Sequence, residues 1–460
     1  MKDLTVGNPT KVLWKFCLPL FGSIIFQQLY NLADSIVAGQ FIGENALGAV
    51  SNSYEITLIF LAFATGCNVA GSVIASRLFG AKKFSELKTA IYTTFISTAI
   101  LTVTLMFLGI LLYNPLLKGI NTREEIFKDS SLYLKIYIWG LPFLFFYNLA
   151  NGLFSALGDS VTPFIFLAFS SIANIGLDIL LVAKFNMGVA GVAWATFICQ
   201  GVSCVGATTL LLFKLTKIKT QEKPKLFSTT SLKAFVTLAI PTTMQQSFVS
   251  VGNILVQRVV NSFGIEAGYG AAIKLHNLLI TSFSALANGV SSYTSQNLGA
   301  NKPERIFKGF TSGIKMAVIL FTPIILLYIF FGKYCLVLFA KDFSLSSFSS
   351  ENLHAGIMLL RIISPFDYLS ILKLFMDGVL RGAGRIKEFT FATFVDLFLR
   401  VIFANIFSKF WGTTGIWLAW PIGWVATTVI TGIFFVKGDW FKKRKEYSPQ
   451  SDLPTCEITE

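Results

Sequence analysis

Long uncharged apolar stretches recur along the chain, separated by short polar segments. Ten are plain: 16–33, 56–75, 89–117, 136–158, 160–177, 185–213, 234–257, 277–301, 316–332 and 410–436. Crossing the hydrocarbon core of a bilayer as a helix takes ~20 mostly apolar residues, and each run is of that order. Two weaker segments, 352–380 and 387–408, are interrupted by Arg361, Asp367, Lys373 and Asp377, and by Asp396 and Arg400. Counting both predicts twelve transmembrane helices. The runs are too long, and alternate too little with period two, for the strands of a membrane barrel. The pattern therefore predicts an all-α integral membrane protein.

The connecting segments alternate in basic residues. One set holds Lys2, Lys11 and Lys15; Arg77, Lys82, Lys83 and Lys88; Lys214, Lys217, Lys219, Lys223 and Lys225; Lys302, Arg305 and Lys308; Arg381, Arg385 and Lys387; and Lys437 with Lys442, Lys443, Arg444 and Lys445. The other set is sparser, with Lys118, Arg123, Lys128, Lys184, Lys333, Lys341 and Lys409 among its basic residues. The positive-inside rule then puts both termini and the central loop in the cytoplasm. This predicts an N-lobe over 1–216, a cytoplasmic linker over 217–230, a C-lobe over 231–436 and a basic cytoplasmic tail over 437–460.

Composition sharpens this picture. Of the 460 residues, 54% are hydrophobic and only 13% charged, about half the charge of a soluble domain. A net charge of +14 would suggest nucleic acid in a soluble protein. Here the basic residues flank apolar runs, so they read as a topology signal and as attraction to membrane lipid, with no nucleic-acid partner. Six Cys form no C-x-x-C pair and only two His are present, which excludes a His-rich metal site. The first apolar run continues through Gln27, Gln28 and Asn31 without a small-residue cleavage site, so it reads as a retained span. Walker, H-E-x-x-H and G-x-S-x-G motifs are missing from the sequence. ATP hydrolysis and the common hydrolase chemistries have no support, and no cofactor or obligate protein partner is implied.

The two halves resemble each other at a shift of roughly 220 residues. Pro19 matches Pro241 and Asn31 matches Asn253. The string Ser76-Arg77-Leu78-Phe79-Gly80-Ala81-Lys82-Lys83 matches Ser295-Gln296-Asn297-Leu298-Gly299-Ala300-Asn301-Lys302. Gly158 matches Gly384, and Gly188-Val189-Ala190-Gly191 matches Gly412-Thr413-Thr414-Gly415. Each half carries six predicted spans, so the repeats share one orientation and form two six-helix lobes around an axis along the membrane normal. Two lobes facing one another across a central cavity is the plan of alternating access. A channel or a polytopic membrane enzyme built from two lobes is the rival reading, but no catalytic cluster is visible.

These repeated strings resemble the multidrug and toxic compound extrusion (MATE) family of secondary transporters. The resemblance runs from about Leu4 to Val436. It rests on Lys11-x-x-Trp14-x-Phe16-x-x-Pro19, on Gln28-Leu29-Tyr30-Asn31-Leu32-Ala33-Asp34, and on Gly66-x-x-Val69 leading to Ser76-Arg77-x-x-Gly80-Ala81-Lys82. Asn174-Ile175-Gly176-Leu177-Asp178 and Gly378-Val379-Leu380-Arg381-Gly382-Ala383-Gly384 complete it. It implies an antiporter of a bacterial cytoplasmic membrane that exports amphipathic or cationic drugs by alternating access. The driving ion would be Na+ or H+. A lipid-linked oligosaccharide flippase of the same two-lobe plan is the near alternative. Having both Asp34 and Asp178 resembles the bacterial and archaeal branch with its ion site in the N-lobe. In that branch the positions matching Asp34, Asn174, Asp178 and Thr196 hold the cation, so Na+ is a metal candidate there.

The residues agree with that chemistry. Gln27, Asn31 and Asp34 share one helical face, as do Asn174 and Asp178. An ionisable side chain inside a membrane is costly and usually faces a cavity. Two carboxylates brought close together titrate as a unit or share a cation. The plainer reading of Asp34 is a residue at the membrane interface. Pro19 is a hinge candidate, because proline removes one helical hydrogen bond. A simple structural kink is the competing reading. Cavity candidates are Gln27, Asn31, Tyr147, Asn148 and Asn151 in the N-lobe and Gln246 and Asn253 in the C-lobe. The seventh span lacks a carboxylate: Val256 stands where Asp34 would repeat. Asp396 and Arg400, four apart, are expected to neutralise each other.

Overall fold

The computed structural model describes residues 2–37, 44–119, 122, 124–220, 222–337, 349–438 and 440. Thirteen α-helices follow in order among these residues. They are α1 Pro9–Val37, α2 Glu44–Gly80, α3 Phe84–Gly119, α4 Glu124–Trp139, α5 Leu141–Ala156, α6 Val161–Ile179, α7 Val189–Thr216, α8 Thr229–Asn261, α9 Glu266–Gly299, α10 Glu304–Leu336, α11 Ser350–Ile363, α12 Asp367–Gly382 and α13 Ile386–Val436. They make twelve crossings. α4 and α5 form one span bent by 51°, where Gly140 precedes Pro142. α11 and α12 form another, joined by a single 3₁₀ turn over Ser364–Phe366 with Pro365 inside it. Pro142 falls in the first turn of α5 and Pro365 in the 3₁₀ turn ahead of α12, positions where the missing N–H would lack a helical partner in any case. α13 contains two spans, divided at Gly412. The expected twelve-helix, two-lobe fold is what the chain forms.

Outward faces are apolar. On α3 the side chains of Ile100, Val103, Phe107 and Leu111 follow helical spacing and are all more than half exposed. That stripe would be a liability in water and suits a lipid surface. α8 and α9 are less apolar than their neighbours, because both carry polar residues that meet other helices. Thr243 of α8 and Gly66 of α2 pack together, as do Ser292 of α9 and Ser72 of α2, whose hydroxyls are 3.3 Å apart.

The sequence repeat is also a repeat of backbone geometry. Gly188 and Gly412 have φ/ψ of 57°/−142° and 56°/−137°, a conformation that a side chain strongly disfavours. Gly158 and Gly384 have φ of 72° and 82°. After α2 the chain turns with Lys82 at φ 58°, and after α9 with Asn301 at φ 55°. Lys83 N–H donates to Leu78 C=O at 3.1 Å, and Lys302 N–H to Asn297 C=O at 2.8 Å. Both are helix ends closed by a left-handed residue.

The lobes meet at these same ends. A Cβ on Gly80 would lie 2.0 Å from the carbonyl oxygen of Gln296, and one on Gly299 would lie 2.0 Å from that of Arg77. Each glycine thus lets the opposite helix approach its backbone. The segment before α1 is laid across the junction. Lys2 N–H donates to Leu157 C=O at 3.1 Å, and Leu4 N–H to Gln296 Oε1 at 2.9 Å. Lys302 Nζ donates to Thr5 C=O at 3.0 Å, and Arg305 to Gly7 C=O at 2.9 Å. Leu4 is 1% exposed. Among the described residues, the hydrogen bonds joining the lobes reach from this face to Gln28, whose amide donates to Thr281 Oγ1 at 3.4 Å.

Candidate functional site

α6 runs beside α1, with Phe164 against Gly22 and Phe26. It exposes Ile165, Phe169 and Ile172 on one side and buries Ser171, Asn174 and Asp178 on the other. Asn174 is 1% exposed and Asp178 fully buried. Directly after Asp178 the helix widens into a π-helical turn, Leu180–Lys184, the kind of irregularity often found at functional sites. The chain then reverses at Gly188 into α7, whose Thr196 is also buried. The Ser170 hydroxyl donates to Cys199 C=O at 3.2 Å, which fixes the register of α6 on α7. In that register Thr196 comes opposite the turn of α6 that carries Asn174, and Asp178 lies about one turn nearer the Gly188 end. None of Asn174, Asp178 and Thr196 is free of partners. Asn31 and Asp34 stand on α1, but their side chains lie outside the described residues.

The other sequence candidates divide. Gln27 is exposed, while its neighbour Gln28 bridges the lobes. Pro19 lies inside α1, which stays one helix through it. The Ser23 hydroxyl donates to the Pro19 carbonyl at 3.0 Å. The Tyr147 hydroxyl donates to Pro163 C=O at 3.3 Å, between α5 and α6 within the N-lobe. Asn148 donates to Leu144 C=O of its own helix at 2.8 Å, and its carbonyl accepts from Asn68 at 2.9 Å. Asn151 and Gln246 are half-buried. Asn253 is exposed, and its Oδ1 accepts from Arg400 at 3.4 Å.

The C-lobe holds a charged cluster that the sequence announced only in part. Arg400 pairs with Asp396 at 2.5 Å, as their spacing predicted. Its guanidinium also lies over the Trp420 ring at 4.3 Å. Lys373 pairs with Asp377 at 2.7 Å. His276 Nδ1 is 3.6 Å from Asp367, and its ring packs against Trp420 and Trp424. The buried cations Lys373 and Arg381 lie by Asp377 and Arg400 by Asp396, while the buried Asp367 has His276 as its neighbour. Pairing with an opposite charge is how Asp377 and Asp396 are tolerated in a low-dielectric setting. Helical spacing could find the Asp396–Arg400 and Lys373–Asp377 pairs. It could not find Trp420, Asn253 or His276, which arrive from other segments.

The family model MatE matches residues 19–180 and 241–406, one stretch in each lobe. The chain is 27% identical to the probable multidrug resistance protein YpnP of Bacillus subtilis, over 95% of this chain and 97% of that one. It is also 27% identical to the probable multidrug resistance protein YoeA of the same organism, over 71% and 73% of the two chains. In fold it is similar to an outward-facing multidrug resistance MATE family transporter of the MOP superfamily. There the TM-score is 0.87 at 23% identity, covering 95% of this chain and 98% of that one. With matched stretches in both lobes that together span most of its length, this chain belongs to the MATE family of multidrug efflux transporters, membrane proteins that transport and are not enzymes.

Proposed function

We propose that this transporter exports amphipathic or cationic small molecules in exchange for Na+ or H+, with the coupling ion held in the N-lobe by Asp34, Asn174, Asp178 and Thr196. The observation that carries this reading is the burial of Asn174 and Asp178 on α6 and of Thr196 on the adjoining α7, beside the helix that bears Asp34. A carboxylate so buried is costly unless it binds a proton or a cation. Carboxylate, amide and hydroxyl oxygens are hard donors suited to Na+, and a carboxylate pair takes a proton equally well. The relatives' names support drugs as the substrate class. Aromatic and amide groups then serve a cationic substrate by stacking and cation–π attraction.

The loops rich in Lys and Arg favour a cytoplasmic-membrane protein with both termini and the 217–230 linker inside. On that orientation the Gly80–Gly299 crossing closes the cytoplasmic face and the ion enters from outside. A membrane-impermeant thiol reagent applied to intact cells should then leave Cys456 unlabelled. The deciding experiment is drug transport by purified protein in liposomes, with Na+ and pH gradients imposed separately. Transport should follow one gradient in the wild type and neither in Asp34→Asn. Wild-type transport by Asp34→Asn under either gradient would overturn the reading.

A further inference from the structure

The two lobes place different residues at matching positions of the repeat. Asn31 and Asn253 stand at the same distance along the chain from Pro19 and Pro241. Asn174 and Arg400 stand at the same distance from the left-handed glycines Gly158 and Gly384. Thr196 and Trp420 do so from Gly188 and Gly412, whose dihedral angles agree. Contacts repeat the register. Ser170 bonds to Cys199 in the N-lobe, and its counterpart Asp396 lies against Gly423, the counterpart of Cys199. A Cβ on Gly423 would meet Asp396 Oδ1 at 2.7 Å. In the C-lobe the three counterparts touch: Arg400 reaches both Asn253 and Trp420.

We propose that the Arg400 guanidinium stands where the C-lobe would otherwise bind a cation, as a tethered positive charge held by Asp396, Asn253 and Trp420. This rests on the N-lobe reading above and extends it. It explains why one lobe exchanges an ion and the other does not. A guanidinium is tethered to the backbone and cannot leave, so Asp396 keeps its partner throughout the transport cycle. The charge is enclosed, with Asp396 and Arg400 side chains 9% and 8% exposed. The charged groups facing the pair come from two other helices: Asp377, Lys373 and Arg381 on α12, and His276 on α9 with its partner Asp367. Asn253 on α8, and Trp420, Gly423 and Trp424 on the second half of α13, add no further charge.

Removing the guanidinium should therefore create a cation or proton site at Asp396. The test uses full-length protein with the N-lobe carboxylate already altered. Melting temperatures of Asp178→Asn, Asp178→Asn/Arg400→Ala and Asp178→Asn/Asp396→Asn/Arg400→Ala are compared in NaCl, LiCl and choline chloride, and across a pH series in choline chloride. The double variant should gain a rise of several degrees in Na+, in Li+ or on acidification that the triple variant lacks. Arg400→Gln in the same background keeps a donor for Asp396 and packing for Trp420, and should gain the same response even if Arg400→Ala folds poorly. Arg400→Lys keeps the charge and should gain none. Identical responses of the double, triple and Gln variants would overturn the proposal, as would a response equally strong in Arg400→Lys. Failure of the N-lobe reading shows up separately, as a wild-type ion response in Asp178→Asn alone.

Discussion

The ends of α2 and α9 and the middles of α6 and α13 are both places where the repeat can be compared with itself, and they have diverged to different degrees. At the α2 and α9 ends both halves use a glycine under a foreign carbonyl and a left-handed residue after it. In the middle, Asn174 faces its own lobe where Arg400 stands in the other, and Thr196 is replaced by Trp420. Backbone contact between lobes admits one solution, because a Cβ 2.0 Å from an oxygen cannot be accommodated. A pocket lined by side chains admits many, provided charge is balanced. The scaffold is therefore duplicated while the chemistry is not, and ion coupling can belong to one lobe.

The largest effect that could break this comparison lies in the N-lobe. Asp34→Asn and Asp178→Asn each keep shape and remove a titratable charge, so gradient-driven export should fall at least ~10-fold, the rate cost of about 1.4 kcal/mol. The double variant should lose little more than either single one, since groups acting as a unit are non-additive. Fully additive losses in liposome transport assays would mean that the two carboxylates do not share an ion.

The next effect is on stability in the C-lobe. Asp396→Asn leaves a buried guanidinium without its anion, a loss of about 3–5 kcal/mol for a broken buried pair. Thermal melts and membrane expression should both fall. Replacing Asp396 by Leu together with Arg400 by Met should recover most of that loss, because burying an apolar pair removes the desolvation cost. If Asp396→Asn melts like the wild type, the pair is not the enclosed unit described.

A smaller and symmetric effect should appear where the lobes meet. Gly80→Ala and Gly299→Ala each force a methyl into a carbonyl of the other lobe, an overpacking cost of about 1–3 kcal/mol. That cost falls on the closed junction alone, so the closed state should lose population by roughly 5–150-fold. Disulfide cross-linking of Ser72→Cys with Ser292→Cys, whose native hydroxyls are 3.3 Å apart, should weaken equally in the two variants. Unchanged cross-linking would show that these glycines are not under steric demand.

Much of this could be read before any coordinates. Apolar runs long enough to span a bilayer gave the helices, and the strings around Gly80 and Gly299 gave the repeat. Asp396 and Arg400 were paired by spacing alone. Other features had no linear signature. The breaks at Gly140 and at Ser364–Phe366 lie inside apolar runs, where Pro142 and Pro365 are compatible with a kink as well as with a new helix. The segment over Lys2 to Gly7 has no periodicity, because it is held by its backbone to Gln296, Lys302 and Arg305. Trp420 and Asn253 come to Arg400 from different parts of the fold, so only packing unites them. The Tyr147 hydroxyl bonds to Pro163 of the next span, a contact that spacing along the chain does not give.

The smallest test compares one tie made with opposite charges. Asp159 directly follows Gly158, and Arg385 directly follows Gly384. Asp159 is bound by Lys214 near the end of α7 and by Thr162. Arg385 donates to the carbonyls of Phe434 and Lys437 at the end of α13, at 3.4 and 3.5 Å. Each joins the start of one span to the end of the next. Both are partly exposed, so each should contribute no more than about 1 kcal/mol. Their pH dependence differs. Burial pushes the Asp159 carboxyl up, but hydrogen bonds from Lys214 and Thr162 outweigh it and hold the group below its ordinary value. A depressed carboxylate stabilises above its unfolded pKa, and that stabilisation is lost as pH falls through the folded value. Wild type and Asp159→Asn should therefore differ in melting temperature at neutral pH and converge in acid, below the ordinary carboxylate range. Wild type and Arg385→Gln should keep their difference through the same range, because the partners at the helix end are backbone carbonyls, which do not titrate. Convergence of the Arg385→Gln pair in acid would mean that Glu388, 3.7 Å away, and not the helix end, is the partner that matters.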